Sequence, residues 1–233
     1  MIPFRDNIPS RSFPVITVGL ILVNVLVFFY ELSLGAGLER FVMHFGVVPA
    51  AVVAWPQSHL TLPDVGIPFI TSMFLHGGWL HLIGNMWYLW IFGDNIEDRL
   101  GHFTYLLFYL LCGLGAGIVH TILNYNVAVP SIGASGAIAG VLGAYLVSYP
   151  FAKVLTLVPI FIFIQFIEIP ALIVLGFWFV IQFFNGAASL ADTTANTGGV
   201  AWWAHIGGFV IGMILVGLFP RKDRPRYDYA SRF

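Results

Sequence analysis

The feature that most constrains this chain is a series of apolar runs, each near the length of a membrane-crossing helix and almost free of charge. A spanning helix needs about 20 predominantly apolar residues, with a range of about 17–25. Six segments meet or approach that length: 13–32, 77–93, 103–123, 134–149, 169–184 and 200–219. Of 233 residues, 59% are hydrophobic and 9% charged, whereas a soluble domain carries roughly 25% charge. With 10 Lys+Arg and 11 Asp+Glu, the chain cannot cover a water-facing surface of this size. Its formal net charge of −1 offers no electrostatic footprint for a nucleic acid. The expected class is an all-α membrane protein, a six-transmembrane-helix bundle, with the lipid bilayer as solvent and no nucleic-acid partner.

Basic residues set the expected orientation, because loops rich in Lys and Arg stay on the cytoplasmic side. Arg5 and Arg11 precede the first run, and Arg221, Lys222, Arg224, Arg226 and Arg232 follow the last. Both termini are therefore expected in the cytoplasm, in a multi-pass protein of a cell membrane of prokaryotic type. An even number of spans follows, in a single domain over 1–233 with cytoplasmic tails at about 1–12 and 220–233. The first run is too long for a signal-peptide core and reads as a span. Lys153 falls inside, as does the acidic group Asp94, Glu97 and Asp98 with Arg99. The long outer connection, 33–76, contains Phe41, Val42, Phe45, Val47, Val48 and Trp55 beside polar residues, and part of it is expected in the outer interface. The stretch 154–168 is apolar but broken by Pro159, and reads as an interfacial loop. A lone cysteine, Cys112, excludes an internal disulfide.

Polar side chains are costly in hydrocarbon and mark function by default. Four stand out: His81, Asn85, Ser135 and His205. The second, fourth and sixth runs all start on the outer side, which puts these four at similar depth. His81 and Asn85, at i and i+4, share a helix face. His76 lies about 140° from His81 and is assigned to the helix start. Gly133, Gly136, Gly140 and Gly143 form a small-residue stripe on the fourth run. Ala204, Gly208 and Gly212 form one on the sixth. Such stripes let backbones approach closely, which would bring Ser135 towards His205. A serine hydroxyl needs a base to take its proton, a neutral imidazole can be that base, and the oxyanion then formed needs donors already in place. Those donors can be the His81 ring, the Asn85 amide and the Ser135 backbone N–H at a helix start. Glu168 is expected at the wrong depth and Asp192 in solvent, so a Ser–His dyad is favoured over a triad. His44, His59, His102 and His120 read as loop or helix-end residues. Trp79, Trp90, Trp202 and Trp203 read as interface anchors.

These motifs resemble the rhomboid family of intramembrane serine proteases. The resemblance rests on Gly133-Ala134-Ser135-Gly136, on His81-Leu82-Ile83-Gly84-Asn85, and on Ala204-His205 followed by Gly208 and Gly212. The six-span plan and long first outer loop extend it over most of the chain. It implies a rhomboid-like bundle with Ser135 as nucleophile and His205 as base. His81, Asn85 and the Ser135 N–H would form the oxyanion hole, and single-pass membrane proteins would be the substrates. Some relatives carry an aromatic residue four positions after the serine, packed on the histidine; here that position is Ala139. The alternatives are a catalytically silent rhomboid-like escort and a transporter with a histidine-lined path. The first typically lacks the serine or histidine, and the second needs charges within spans. No H-E-x-x-H occurs, so zinc has no ligand set, and neither a metal nor a cofactor is expected.

Overall fold

A computed structural model describes residues 1–160, 163–191 and 200–219. Six principal helices follow the six apolar runs: α1 Val15–Ser33, α2 Trp79–Leu100, α3 His102–Leu123, α4 Ser135–Ser148, α5 Ala171–Ala191 and α6 Trp202–Leu218. Their limits have local causes. Gly101, at φ 82°, breaks the chain between α2 and α3 in a conformation that favours glycine. Pro150 follows α4, and Pro170 immediately precedes α5, where its missing N–H costs no helix bond. By length and hydropathy, three helices among the described residues qualify as membrane spans: Val15–Ser33, His102–Leu123 and Ala171–Ser189. Ser135–Ser148 and Trp202–Leu218 are shorter apolar helices.

The helix α4 lies at the centre. Every residue from Gly136 to Tyr145 is buried, as expected of a helix apolar all round. Its glycines set how near α6 can come. A Cβ on Gly208 would overlap the Gly136 carbonyl, one on Gly212 the Gly140 backbone, and one on Gly143 the Phe209 carbonyl. Gly136 and Gly140 also face Ala116 and Cys112 of α3. The inward sides of α2, α3 and α4 supply the large core residues Phe92, Tyr105, Phe108, Tyr109 and Tyr145.

The second helix runs to Leu100, beyond the expected end at 93, and its acidic turn serves the start of α1. Glu97, 1% exposed, accepts hydrogen bonds from Ile16 N at 2.9 Å and from Thr17 N and Oγ1 at 2.8 Å. Asp98 accepts from Arg11 N at 2.6 Å and from Ser12. A first helical turn has N–H groups with no intrahelical partner, and a carboxylate there is favoured by the helix dipole. His102 Nδ1 lies 2.5 Å from Glu97 Oε1.

The all-α expectation needs correction. Strands β1 (Ile2–Asp6), β2 (Lys153–Ile160) and β3 (Phe163–Pro170) form an antiparallel sheet in the order β1-β2-β3. Residues 154–168 are thus mostly a hairpin, not an interfacial loop. Lys153 pairs with Pro170 and Ile160 with Phe163. Val154 and Thr156 are fully buried while their neighbours are not, the two-residue period of a half-buried strand. Residues 2–6 are not a free tail. Ile2 pairs with Leu157, and Asp6 with Val154. Trp87 Nε1 donates to the Pro3 carbonyl at 2.6 Å, and Tyr145 and Asn95 both donate to the Asp6 carboxylate. The other expected tail, 220–233, lies outside the described residues.

The segment between α1 and α2 folds into short helical pieces, among them Leu38–Phe45, Pro49–Ala54 and Leu62–Gly66. Val47 and Ser131 exchange backbone hydrogen bonds of 3.1 and 2.7 Å. That bridge ties this segment to the connection that delivers Ser135.

Candidate active site

Ser135 is the first residue of α4, where the early N–H groups have no partner within the helix. Gly133, two residues earlier, shapes the turn that leads into it. Gly133 has φ 124°, a backbone state that L side chains avoid, and donates its N–H to the Ser72 carbonyl at 2.8 Å. Gly133 therefore precedes the helix and does not belong to its small-residue stripe. A Cβ there would lie 2.7 Å from the His81 ring, so this glycine lets the imidazole approach the serine turn.

His205 lies one turn into α6. Its Nε2 is 2.8 Å from Ser135 Oγ, across 70 residues of sequence. The close glycine contact between α4 and α6 brings the two groups within reach. The other ring nitrogen, Nδ1, is 2.7 Å from Gln182 Oε1 on α5. Two indoles flank the ring. Trp178 packs at 5.9 Å between centroids with planes 33° apart, and Trp202 packs at 6.2 Å and 85°. Trp202 is thus a neighbour of the site and not simply an interface anchor. Aromatic support absent at Ala139 comes instead from α5 and from the start of α6.

His81 and Asn85 occupy one face of α2, near its start. Gly77 N donates to His81 Nδ1 at 3.3 Å. With Nδ1 accepting, a neutral ring carries its proton on Nε2, the atom beside Gly133. Asn85 is 8% exposed, and its Nδ2 has no hydrogen-bond partner among the described residues. A buried donor without a partner is costly, and such exceptions call for a functional explanation.

Neighbouring histidines divide. His76 accompanies the helix start, its N–H donating to the Glu31 carboxylate at 3.1–3.3 Å and its ring 5.0 Å from that of His81. His120, expected to be a bystander, lines one small cavity with Ser72, Gly133, Ser135 and Ala204. Glu168 sits on β3, 3.6 Å from Lys153. Asp192 lies outside the described residues. Sequence reasoning missed Gln182 and Trp178. The available signal was a polar residue, Gln182, inside the apolar run of α5, with Trp178 one turn before it.

Within an apolar helical bundle, a hydroxyl of α4 and an imidazole of α6 thus lie within hydrogen-bond distance, with the His81 ring of α2 beside Gly133, two residues before that hydroxyl. The rhomboid domain family model matches residues 64–222, and the chain belongs to the rhomboid family. It is 31% identical over 170 residues to Rhomboid-like protein 11, chloroplastic, of Arabidopsis thaliana, covering 69% of this chain and 55% of that protein. Presenilin-associated rhomboid-like protein A, mitochondrial, of Danio rerio is 30% identical over 173 residues, covering 68% and 40%. Rhomboid protein 1, mitochondrial, of Saccharomyces cerevisiae is 29% identical over 153 residues, covering 64% and 40%. The chain thus spans about half or less of these relatives. All three are eukaryotic with organelle names, and they lend nothing to the expectation of a prokaryotic cell membrane. Family and helices together indicate an integral membrane protein.

Proposed function

We propose that this chain is an intramembrane serine endopeptidase that cleaves single-pass membrane proteins in or beside their transmembrane segment. The observation that carries the reading is the 2.8 Å approach of Ser135 Oγ to His205 Nε2. In this reading all six principal helices cross the bilayer with both termini cytoplasmic, and α2, α4 and α6 start on the outer side. At about 1.5 Å per residue, the 14 residues of α4 fall short of a ~30 Å hydrocarbon core. Ser135 then starts below the membrane surface, in a hollow that water can enter.

The steps follow from the donors and acceptors present. A substrate carbonyl must leave its helix, because a helical carbonyl is already hydrogen-bonded. Ser135 Oγ attacks the carbonyl carbon while its proton passes to His205 Nε2. The oxyanion forms beside His81 Nε2–H, Asn85 Nδ2 and the Ser135 N–H. His205 returns the proton to the departing amine and leaves an acyl-serine. Water, deprotonated by the same imidazole, then frees the acid and restores the hydroxyl.

Proteoliposomes holding the purified chain and a panel of tagged single-pass membrane proteins test this. The parent is expected to cut at least one of them near its membrane segment, and Ser135→Ala and His205→Ala none. Equal cutting by the parent and Ser135→Ala would overturn the reading.

A further inference from the structure

We propose that Gln182 is a positioning residue that holds His205 in the tautomer able to act as a base. The inference rests on the protease reading above and extends it to a third side chain, on α5. A glutamine carbonyl oxygen can only accept a hydrogen bond. With Gln182 Oε1 2.7 Å from His205 Nδ1, the proton of the neutral ring is on Nδ1. The lone pair is then on Nε2, which faces Ser135 Oγ at 2.8 Å. A ring without that acceptor can carry its proton on Nε2 instead. It would then present an N–H to the serine and could not take the serine proton. Trapping a catalytic imidazole in the wrong tautomer is severe even with geometry intact.

Burial and packing favour a dedicated contact. Gln182 is 6% exposed, among the apolar side chains of α5. Trp178 precedes it by one turn on the same face and packs against the same imidazole. One helix thus supplies both a hydrogen bond to the edge of the ring and a flat wall beside it. Among the described residues, no carboxylate is hydrogen-bonded to this imidazole. When Nε2 takes the proton, Nδ1–H keeps its bond to Oε1, so a neutral acceptor does the orienting that a carboxylate does in a triad.

The test compares Gln182→Met, which keeps the side-chain length but removes the acceptor, with Gln182→Glu, which keeps an acceptor oxygen. The probe is a fluorophosphonate, read as a labelling rate, with kcat and KM on any substrate the parent cleaves. Gln182→Met is expected to slow labelling and lower kcat by at least about tenfold, at the low end of what disturbing an orienting partner costs, with KM little changed. Gln182→Glu is expected to recover most of the labelling rate. A Met variant that labels at the parent rate, or a Glu variant as slow as Met, overturns the proposal. A 15N spectrum of the histidine-labelled parent answers without any variant. The Nδ1–H tautomer at His205 supports the role, and the Nε2–H tautomer overturns it. If the parent fails to label, or Ser135→Ala labels, the protease reading falls as well. Ser135-dependent labelling that ignores Gln182→Met removes Gln182 alone.

Discussion

Replacing Gly212 with alanine adds one methyl group to the seam between α4 and α6, and the structure says where it goes. The new Cβ would overlap the backbone of Gly140, with no flexible side chain to give way. Gly217, on the same helix, has nothing within 4 Å of the corresponding position. Alanine is favoured over glycine within a helix by about 1 kcal/mol, and both variants receive that gain. Overpacking a tight contact costs about 1–3 kcal/mol, and only Gly212→Ala incurs it, near the upper end because the obstacle is main chain. The two variants should differ by about 3 kcal/mol, with Gly217→Ala neutral or slightly stabilised. Unfolding in mixed micelles by rising SDS, followed by tryptophan fluorescence, reads the difference. Parting α4 from α6 also lengthens the Ser135–His205 hydrogen bond, so Gly212→Ala should lose activity under conditions where it remains folded. Equal unfolding midpoints for the two variants would refute the claim that glycine backbones meet at this seam.

Other perturbations follow from particular contacts. Asn85→Ala should lower kcat by about 10²–10³, as loss of an oxyanion donor does elsewhere, with KM nearly unchanged; steady-state kinetics showing a KM effect alone would contradict that role. Glu97→Ala strips the first turn of α1 of its acceptor and leaves the Ile16 and Thr17 donors unpaired, so thermal unfolding should show a loss of about 2–4 kcal/mol. Burial pushes the Asp6 carboxyl up from an ordinary value of 3.8 to about 7, against the lowering effect of the Tyr145 hydroxyl that donates to it. Between those values the folded chain holds a proton that the unfolded chain has released, so the Asp6 contribution to stability falls as pH rises from about 4 to about 7. Asp6→Asn should flatten that part of the parent's stability–pH curve, and a variant curve parallel to the parent's would count against a buried, neutral Asp6.

The positions of the helices were legible because hydrocarbon demands long apolar runs, and those runs are written plainly in the chain. The approach of Ser135 to His205 was legible too, from the small residues on the two runs that carry them. The limits of α2 were not. Glu97 and Asp98 look like part of a loop until their partners, about 80 residues earlier in the sequence, are in place. The sheet was hidden for a similar reason. An apolar stretch broken by Pro159 reads alike as a loop or a hairpin, and the strand that completes its pairing lies about 150 residues away. Gln182 escaped notice because sequence does not reveal the rotation of α5 about its axis relative to α6. Only its polarity in an apolar run set it apart, and the same polarity could have served a bond within its own helix.

The pairing of one hydroxyl with one imidazole is most directly examined by where a fluorophosphonate becomes attached. Purified parent protein is treated with the reagent, digested, and the adduct located by mass spectrometry. The expected result is a single modified residue, Ser135, with labelling abolished in Ser135→Ala and strongly slowed in His205→Ala. An adduct on another serine, or labelling of parent and Ser135→Ala at the same rate, would contradict the account.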